Sequence, residues 1–112
     1  MEARKRDSAE ALRMAETFNN IYHRKMWGKE GAGSGVGSEP AYTTHTRRVL
    51  ADLFGELNVS SLLDAPCGAI KWTKILLQDM KQRGQELRYR GVDIVHSLID
   101  QHQTRFADNP KW

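Results

Sequence analysis

The segment Ser60-Ser61-Leu62-Leu63-Asp64-Ala65-Pro66-Cys67-Gly68 constrains this chain more than any other. A short apolar run entering a turn of small residues, with helical periodicity straight after it, is the pattern of a buried strand, a tight turn and a helix. That helix is predicted from about Ile70 to Lys81, burying Trp72, Ile75, Leu76 and Met80, with Gly84 ending it. Leu87, Tyr89, Val92 and Ile94 then mark a second strand within Leu87 to Val95. Leu98, Ile99, His102 and Phe106 form one face of a further helix from about Ser97. Strand, helix, strand, helix implies two parallel strands joined by a right-handed crossover.

Upstream, Asp7 and Ser8 are placed to cap a helix carrying Leu12, Ala15, Phe18, Ile21 and Tyr22 at helical spacing. From Trp27 to Pro40 the chain has five glycines, two serines and a proline, which excludes regular structure. Thr43 or Thr44 opens another helix, on which Val49, Leu50, Leu53, Phe54 and Leu57 form an apolar stripe, and Asn58 closes it. The expected organisation is a helical cap over residues 1–58, with a glycine-rich loop at 27–40, and a βαβα unit over residues 59–112.

At 112 residues the chain suffices for one small domain. No stretch approaches the roughly 18 apolar residues of a membrane span, and no apolar run follows the charged Met1 to Arg6, so neither membrane association nor a secretory signal is expected. The single Cys67 excludes an internal disulfide and suits a reducing compartment, so a soluble cytoplasmic protein is expected. The net charge of +3 is spread among acids and does not indicate a nucleic-acid partner. His23, His45, His96 and His102 have no metal-ligand spacing with Cys67, and no metal is expected.

The chemistry is expected at Asp64-Ala65-Pro66-Cys67-Gly68-Ala69. In an open parallel sheet ligands bind beyond the carboxyl ends of the strands. Small residues there let backbone approach a ligand closely, and the following helix offers free N–H groups to an anion. Asp93, at the end of the second strand, is placed to accept hydrogen bonds from a ribose diol; Gly68 and Asp93 are 25 residues apart, slightly more than in nucleotide-binding βαβ units. As a bland alternative, the loop is an ordinary strand-to-helix turn and Asp93 an acid at a helix N-terminus. Cys67 has no His or acid partner that would make it a nucleophile. The stretch Gly31 to Ser38 lacks the lysine of a phosphate loop. It reads either as a flexible linker or as a lid that orders over bound cofactor with Trp27, Gly35 and Arg47.

Phe18-Asn19-Asn20-Ile21-Tyr22, Trp27-Gly28, Ser34-Gly35-Val36-Gly37-Ser38, Thr46-Arg47, Leu63-Asp64-Ala65-Pro66-Cys67-Gly68, Trp72, Tyr89-Arg90-Gly91-Val92-Asp93-Ile94-Val95 and Leu98-Ile99, in that order, resemble class I S-adenosylmethionine-dependent methyltransferases that carry an N-terminal helical cap. The resemblance runs from about Phe18 to Phe106. It implies a truncated Rossmann-like α/β fold with S-adenosyl-L-methionine as cofactor, held by Asp64, Ala65, Pro66, Cys67, Gly68 and Ala69 at its methionyl end. Asp93 would hold the ribose, with Ile94 and Val95 flanking the adenine. Pro66 stands at a common glycine position of the family and Ala69 at a frequently acidic one, which removes a contact near the methionyl end. The family's later strands are absent, so the expectation is an incomplete domain of low stability.

The resemblance implies methyl transfer to an unknown acceptor, with no catalytic base identifiable. The alternative is a non-catalytic, cofactor- or partner-binding fragment of the same fold. A nicotinamide-dependent oxidoreductase is disfavoured because no Gly-x-Gly-x-x-Gly turn follows the first strand.

Overall fold

The computed structural model describes residues 2–24 and 35–112, with side chains from Ser8 onward. Among these residues the chain forms four α-helices and a two-stranded parallel sheet, in the order α1 (Glu2–Arg24), α2 (Thr44–Glu56), β1 (Ser61–Asp64), α3 (Thr73–Gln82), β2 (Arg88–Gly91) and α4 (His96–Arg105). A short 3-10 turn, Val36–Ser38, precedes α2. Trp27, expected in the lid, lies outside the described residues.

The strands pair Ser61 with Arg88 through to Asp64 with Gly91. The pleat therefore puts Leu62, Asp64, Tyr89 and Gly91 on one face and Ser61, Leu63, Arg88 and Arg90 on the other. The first face covers the core, in which Ala51, Phe54, Leu76, Leu77, Met80, Leu87 and Tyr89 cluster. The second is open: Leu63 is 67% exposed and both arginines are exposed, so the strand expected to be buried is covered on one face only. The outer edge of β2 receives the backbone of Lys111, whose carbonyl accepts from the Tyr89 N–H at 2.8 Å. Among the described residues no strand pairs with the other edge of β1.

Both helix ends expected from Asn58 and Gly84 form, and by the same motif. Asn58 (φ 50) and Gly84 (φ 83) adopt the left-handed conformation just past α2 and α3. The Val59 N–H then bonds the Phe54 carbonyl at 3.0 Å, and the Gln85 N–H that of Met80 at 2.9 Å, which satisfies terminal carbonyls. The Gln85 side-chain amide donates to the carbonyls of Phe54 and Val59, both at 2.9 Å, tying the ends together.

Four sequence expectations about element bounds and faces are corrected. The first helix starts at Glu2 rather than at an Asp7–Ser8 cap, because Glu2 to Arg6 are mostly good helix formers and extend it. The third starts at Thr73 rather than Ile70: Gly68 (φ 55) and Ile70 (φ 54) are left-handed, and a right-handed helix cannot run through them. The apolar stripe of α2 divides: Ala51 and Phe54 are buried and Leu50 is half-buried, whereas Val49, Leu53 and Leu57 are exposed. The packed face follows the spacing 47, 50, 51, 54, and residues 49, 53 and 57 fall on the neighbouring face. The second strand also ends early, at Gly91, leaving Val92 exposed. No described helix is long and apolar enough to cross a membrane.

Candidate functional site

The turn after β1 is built to hold two carboxylates in place. Asp64 closes the strand, and its Oδ2 accepts from the Tyr89 hydroxyl at 2.8 Å and the Thr73 hydroxyl at 3.3 Å. Across the cleft, Asp93 accepts from the Gly68 N–H at Oδ2 and from the Val95 N–H at Oδ1, both at 2.9 Å. Each oxygen retains a lone pair after these bonds, so the carboxylate is oriented yet still able to accept from a ligand. The backbone of the turn is further pinned by the Cys67 N–H on the Val92 carbonyl at 2.9 Å. Left-handed Gly68 needs no explanation beyond its missing Cβ. Left-handed Ile70 stores about 1–3 kcal/mol of strain, offset by burial of its side chain in the core.

Both carboxylates face one cavity of about 540 Å³, within the range of about 300–1,000 Å³ common to small-molecule sites. Pro66, Cys67 and Gly68 form its floor with Asp64 and Asp93, and Met14, Phe18 and Tyr22 of α1 line it together with Trp72. Ile94 completes it, as do Ser38 and Thr73. Among the described residues the lining thus contains two acids and neither lysine nor arginine.

Of the cofactor residues expected from sequence, Asp64, Pro66, Cys67, Gly68, Asp93 and Ile94 come together here. Ala65 is exposed, Val95 is buried in front of α4, and the Ala69 carbonyl accepts from Arg105 at 3.2 Å; none of the three lines the cavity. Of the expected lid residues, Gly35 (φ 92) opens the 3-10 turn that brings Ser38 to the cavity. Arg47 lies beyond it, donating to the Pro40 carbonyl at 2.8 Å and the Thr43 hydroxyl at 3.2 Å. Glu39 bonds Lys71 at 2.9 Å, which fastens this segment to the turn after β1.

Phe18 and Tyr22 belong to the apolar stripe expected on α1, whereas Met14 does not, although its spacing of four from Phe18 puts it on their face; nothing in the sequence pairs Asp64 with Tyr89 or Glu39 with Lys71. Trp72, expected in the core, does pack against it but also walls the cavity.

The buried Cys67 thiol and Tyr89 hydroxyl stay uncharged. Burial, helped by the Asp93 and Asp64 carboxylates, pushes the Cys67 thiol up to about 11. It is not a nucleophile near neutral pH. Burial and the hydrogen bond to Asp64 drive the Tyr89 hydroxyl far above its ordinary value. Among the described residues no group of three His, Cys, Asp or Glu side chains could hold a metal ion.

Gly91 makes this closeness possible. A Cβ built there would sit 3.0 Å from Cys67 Cβ, Cys67 Sγ and the Tyr89 hydroxyl. Gly91→Ala is expected to destabilise the chain by about 1–3 kcal/mol through overpacking, measured as a lowered urea midpoint. An unchanged midpoint would show that the turn has room to spare.

Compared with known proteins, the chain matches no family model, no curated protein and no solved structure.

Proposed function

We propose that this chain is the cofactor-binding part of a Rossmann-like, S-adenosyl-L-methionine-dependent methyltransferase, transferring a methyl group to an acceptor not specified by its residues. The observation that carries the reading is the bond from the Gly68 N–H to Asp93, because it joins the turn after β1 to the acid after β2 across one cavity. Those are the two features that an adenosyl amino acid requires at its two ends. The charge of the lining supports the same ligand. Two carboxylates, with no lysine or arginine among the described lining residues, suit a sulfonium and an ammonium better than the pyrophosphate of a nicotinamide cofactor.

The fit can be followed residue by residue. Asp93 accepts from the ribose diol through its remaining lone pairs. Asp64, held by Tyr89 and Thr73, accepts from the methionyl ammonium. The first turn of α3 leaves N–H groups without intrahelical partners, and Trp72 at its start makes no side-chain cap, so donors remain for the methionyl carboxylate. Phe18, Tyr22 and Trp72 offer aromatic faces to a cation. The cofactor, when bound, supplies an already activated methyl group. The task of these residues is to orient it and exclude water, with the Ser38 segment as lid.

A second reading, a module that binds the cofactor or a partner without turnover, is favoured by one observation. Asp64 and Asp93 are committed to the turn and, in the fit above, to the cofactor, and Cys67 is neutral, which assigns none of them to an acceptor's proton.

Calorimetric titration with S-adenosylhomocysteine and with NAD tests the proposal. Saturable binding of the former and none of the latter is expected. Binding of NAD alone, or of neither, would remove the methyltransferase reading. Binding of S-adenosylhomocysteine without transfer of labelled methyl to any acceptor offered would favour the module.

A further inference from the structure

Gly68, the residue on which the cavity floor turns, is gripped at both ends of its backbone. Its N–H donates to Asp93 at 2.9 Å, and its carbonyl lies 2.7 Å from Nε2 of His102, a full helix away on α4. A carbonyl only accepts, so Nε2 carries the proton. In the neutral ring Nδ1 is then a bare lone pair. It is buried and has no hydrogen-bond partner among the described residues. His102 itself is 8% exposed and lies outside the lining of the 540 Å³ cavity.

We propose that His102 is a positioning residue whose neutral imidazole holds the Gly68 carbonyl, so that protonation of a side chain that never touches the ligand controls ligand affinity at the Asp64–Gly68 turn. A proton on Nδ1 would create a charged donor in a buried place with no acceptor, which is costly. The imidazolium then leaves its place and the Gly68 carbonyl loses its donor. The peptide is free to rotate away from its left-handed setting, and Asp93 loses the N–H that orients it.

The charges around the ring act in both directions. Arg105, one turn along α4, opposes the proton and Asp93, beyond β2, favours it. His102 shares a second cavity with the neutral Cys67 and Tyr89 and with the cationic Arg88, Arg90 and Lys111, and Phe106 packs its ring 6.2 Å away. Burial dominates, holding the imidazole below its ordinary value of 6.5. The unfolded chain therefore takes up the proton first. The stability contributed by the neutral ring is full above 6.5 and is lost as pH falls towards and through the lower folded value.

This inference rests on the cofactor reading for its ligand, and the experiment separates the two. S-adenosylhomocysteine is titrated calorimetrically into the full chain, His102→Gln and His102→Leu across acid to neutral pH, with the imidazole and the Gly68 amide followed by NMR. Glutamine keeps a donor near Nε2 but takes no proton. At neutral pH the leucine variant should bind about tenfold more weakly, the scale of one lost hydrogen bond, and the glutamine variant within about threefold of wild type. On acidification wild-type affinity should fall with the midpoint of the imidazole's own titration, and the glutamine variant should stay level. Wild-type affinity in the leucine variant, or an unchanged acid loss in the glutamine variant, overturns the proposal. If the leucine variant does not fold, the glutamine variant decides; if acid unfolds the wild type first, the pair at neutral pH decides. If the wild type binds no S-adenosylhomocysteine, the cofactor reading fails alone. The brace is then judged on the Gly68 amide, which must exchange faster with solvent in the leucine variant than in wild type or the glutamine variant, and its failure to do so sinks the brace.

Discussion

Asp93→Ala is expected to weaken S-adenosylhomocysteine binding at least about 100-fold and to destabilise the folded chain at the same time. The carboxylate makes two sets of contacts. Inward, it accepts from the N–H groups of Gly68 and Val95. Outward, in the proposed function, it accepts from the ribose. Alanine removes the inward pair and leaves two N–H groups without acceptors, at about 1–3 kcal/mol for each that is buried. Asp93 is half-buried, so water recovers part of this, and a net loss of about 2–3 kcal/mol in a urea melt is expected. The outward loss of hydrogen bonds to a charged acceptor is worth about 3 kcal/mol, which is the 100-fold. Asp93→Asn separates the two effects. Its amide oxygen can serve one N–H while its amide nitrogen faces the other, so part of the stability returns but little of the affinity. An alanine variant binding within threefold of wild type would remove Asp93 from the ligand site and leave it as an acid at the start of α4.

Leu76→Ala is expected to cost about 2–5 kcal/mol through the buried cavity it leaves, a large share of the roughly 5–15 kcal/mol that a domain of this size holds. Leu76 is 1% exposed, in the cluster that joins α2, α3 and β2. It supports the site only indirectly, through the helix whose first residue, Thr73, bonds Asp64. Its effect should therefore differ in kind from that of Asp93→Ala. Saturating S-adenosylhomocysteine should raise the urea midpoint of Leu76→Ala as much as that of wild type, because ligand binding and folding are linked by mass action. It should scarcely raise that of Asp93→Ala. Leu53→Ala is the control: on the exposed stripe of α2, it should change stability by about 0.5 kcal/mol or less. A comparable loss in Leu53→Ala would mean that the stripe is covered in solution.

Much of the arrangement was written locally. The short apolar run at Leu62 and Leu63, the alternation at Leu87 and Tyr89, the small-residue turn at Asp64 to Gly68, and Asn58 and Gly84 past their helices all act over a few residues. Such signals survive in a linear reading because the conformation they favour is decided by neighbours in the chain. The parallel pairing of β1 with β2 follows from the same order, since a crossover helix separates the strands. Asp93 was recognisable as the acid at the end of the second strand for that reason.

What lay beyond the sequence was decided by contacts between distant residues. Ile70 carries no mark of a left-handed conformation; packing of its side chain in the core imposes it and delays the start of α3. The two apolar stripes of α2 are equally hydrophobic by inspection, and only the position of α3 and the sheet determines that Ala51 and Phe54 are buried while Val49, Leu53 and Leu57 face outward. Tyr89 meets Asp64 and His102 meets Gly68 across 25 and 34 residues, respectively. A sequence states periodicity and turn chemistry because these are local energies. It is silent on which buried polar groups satisfy one another, because that is settled by where whole elements come to rest.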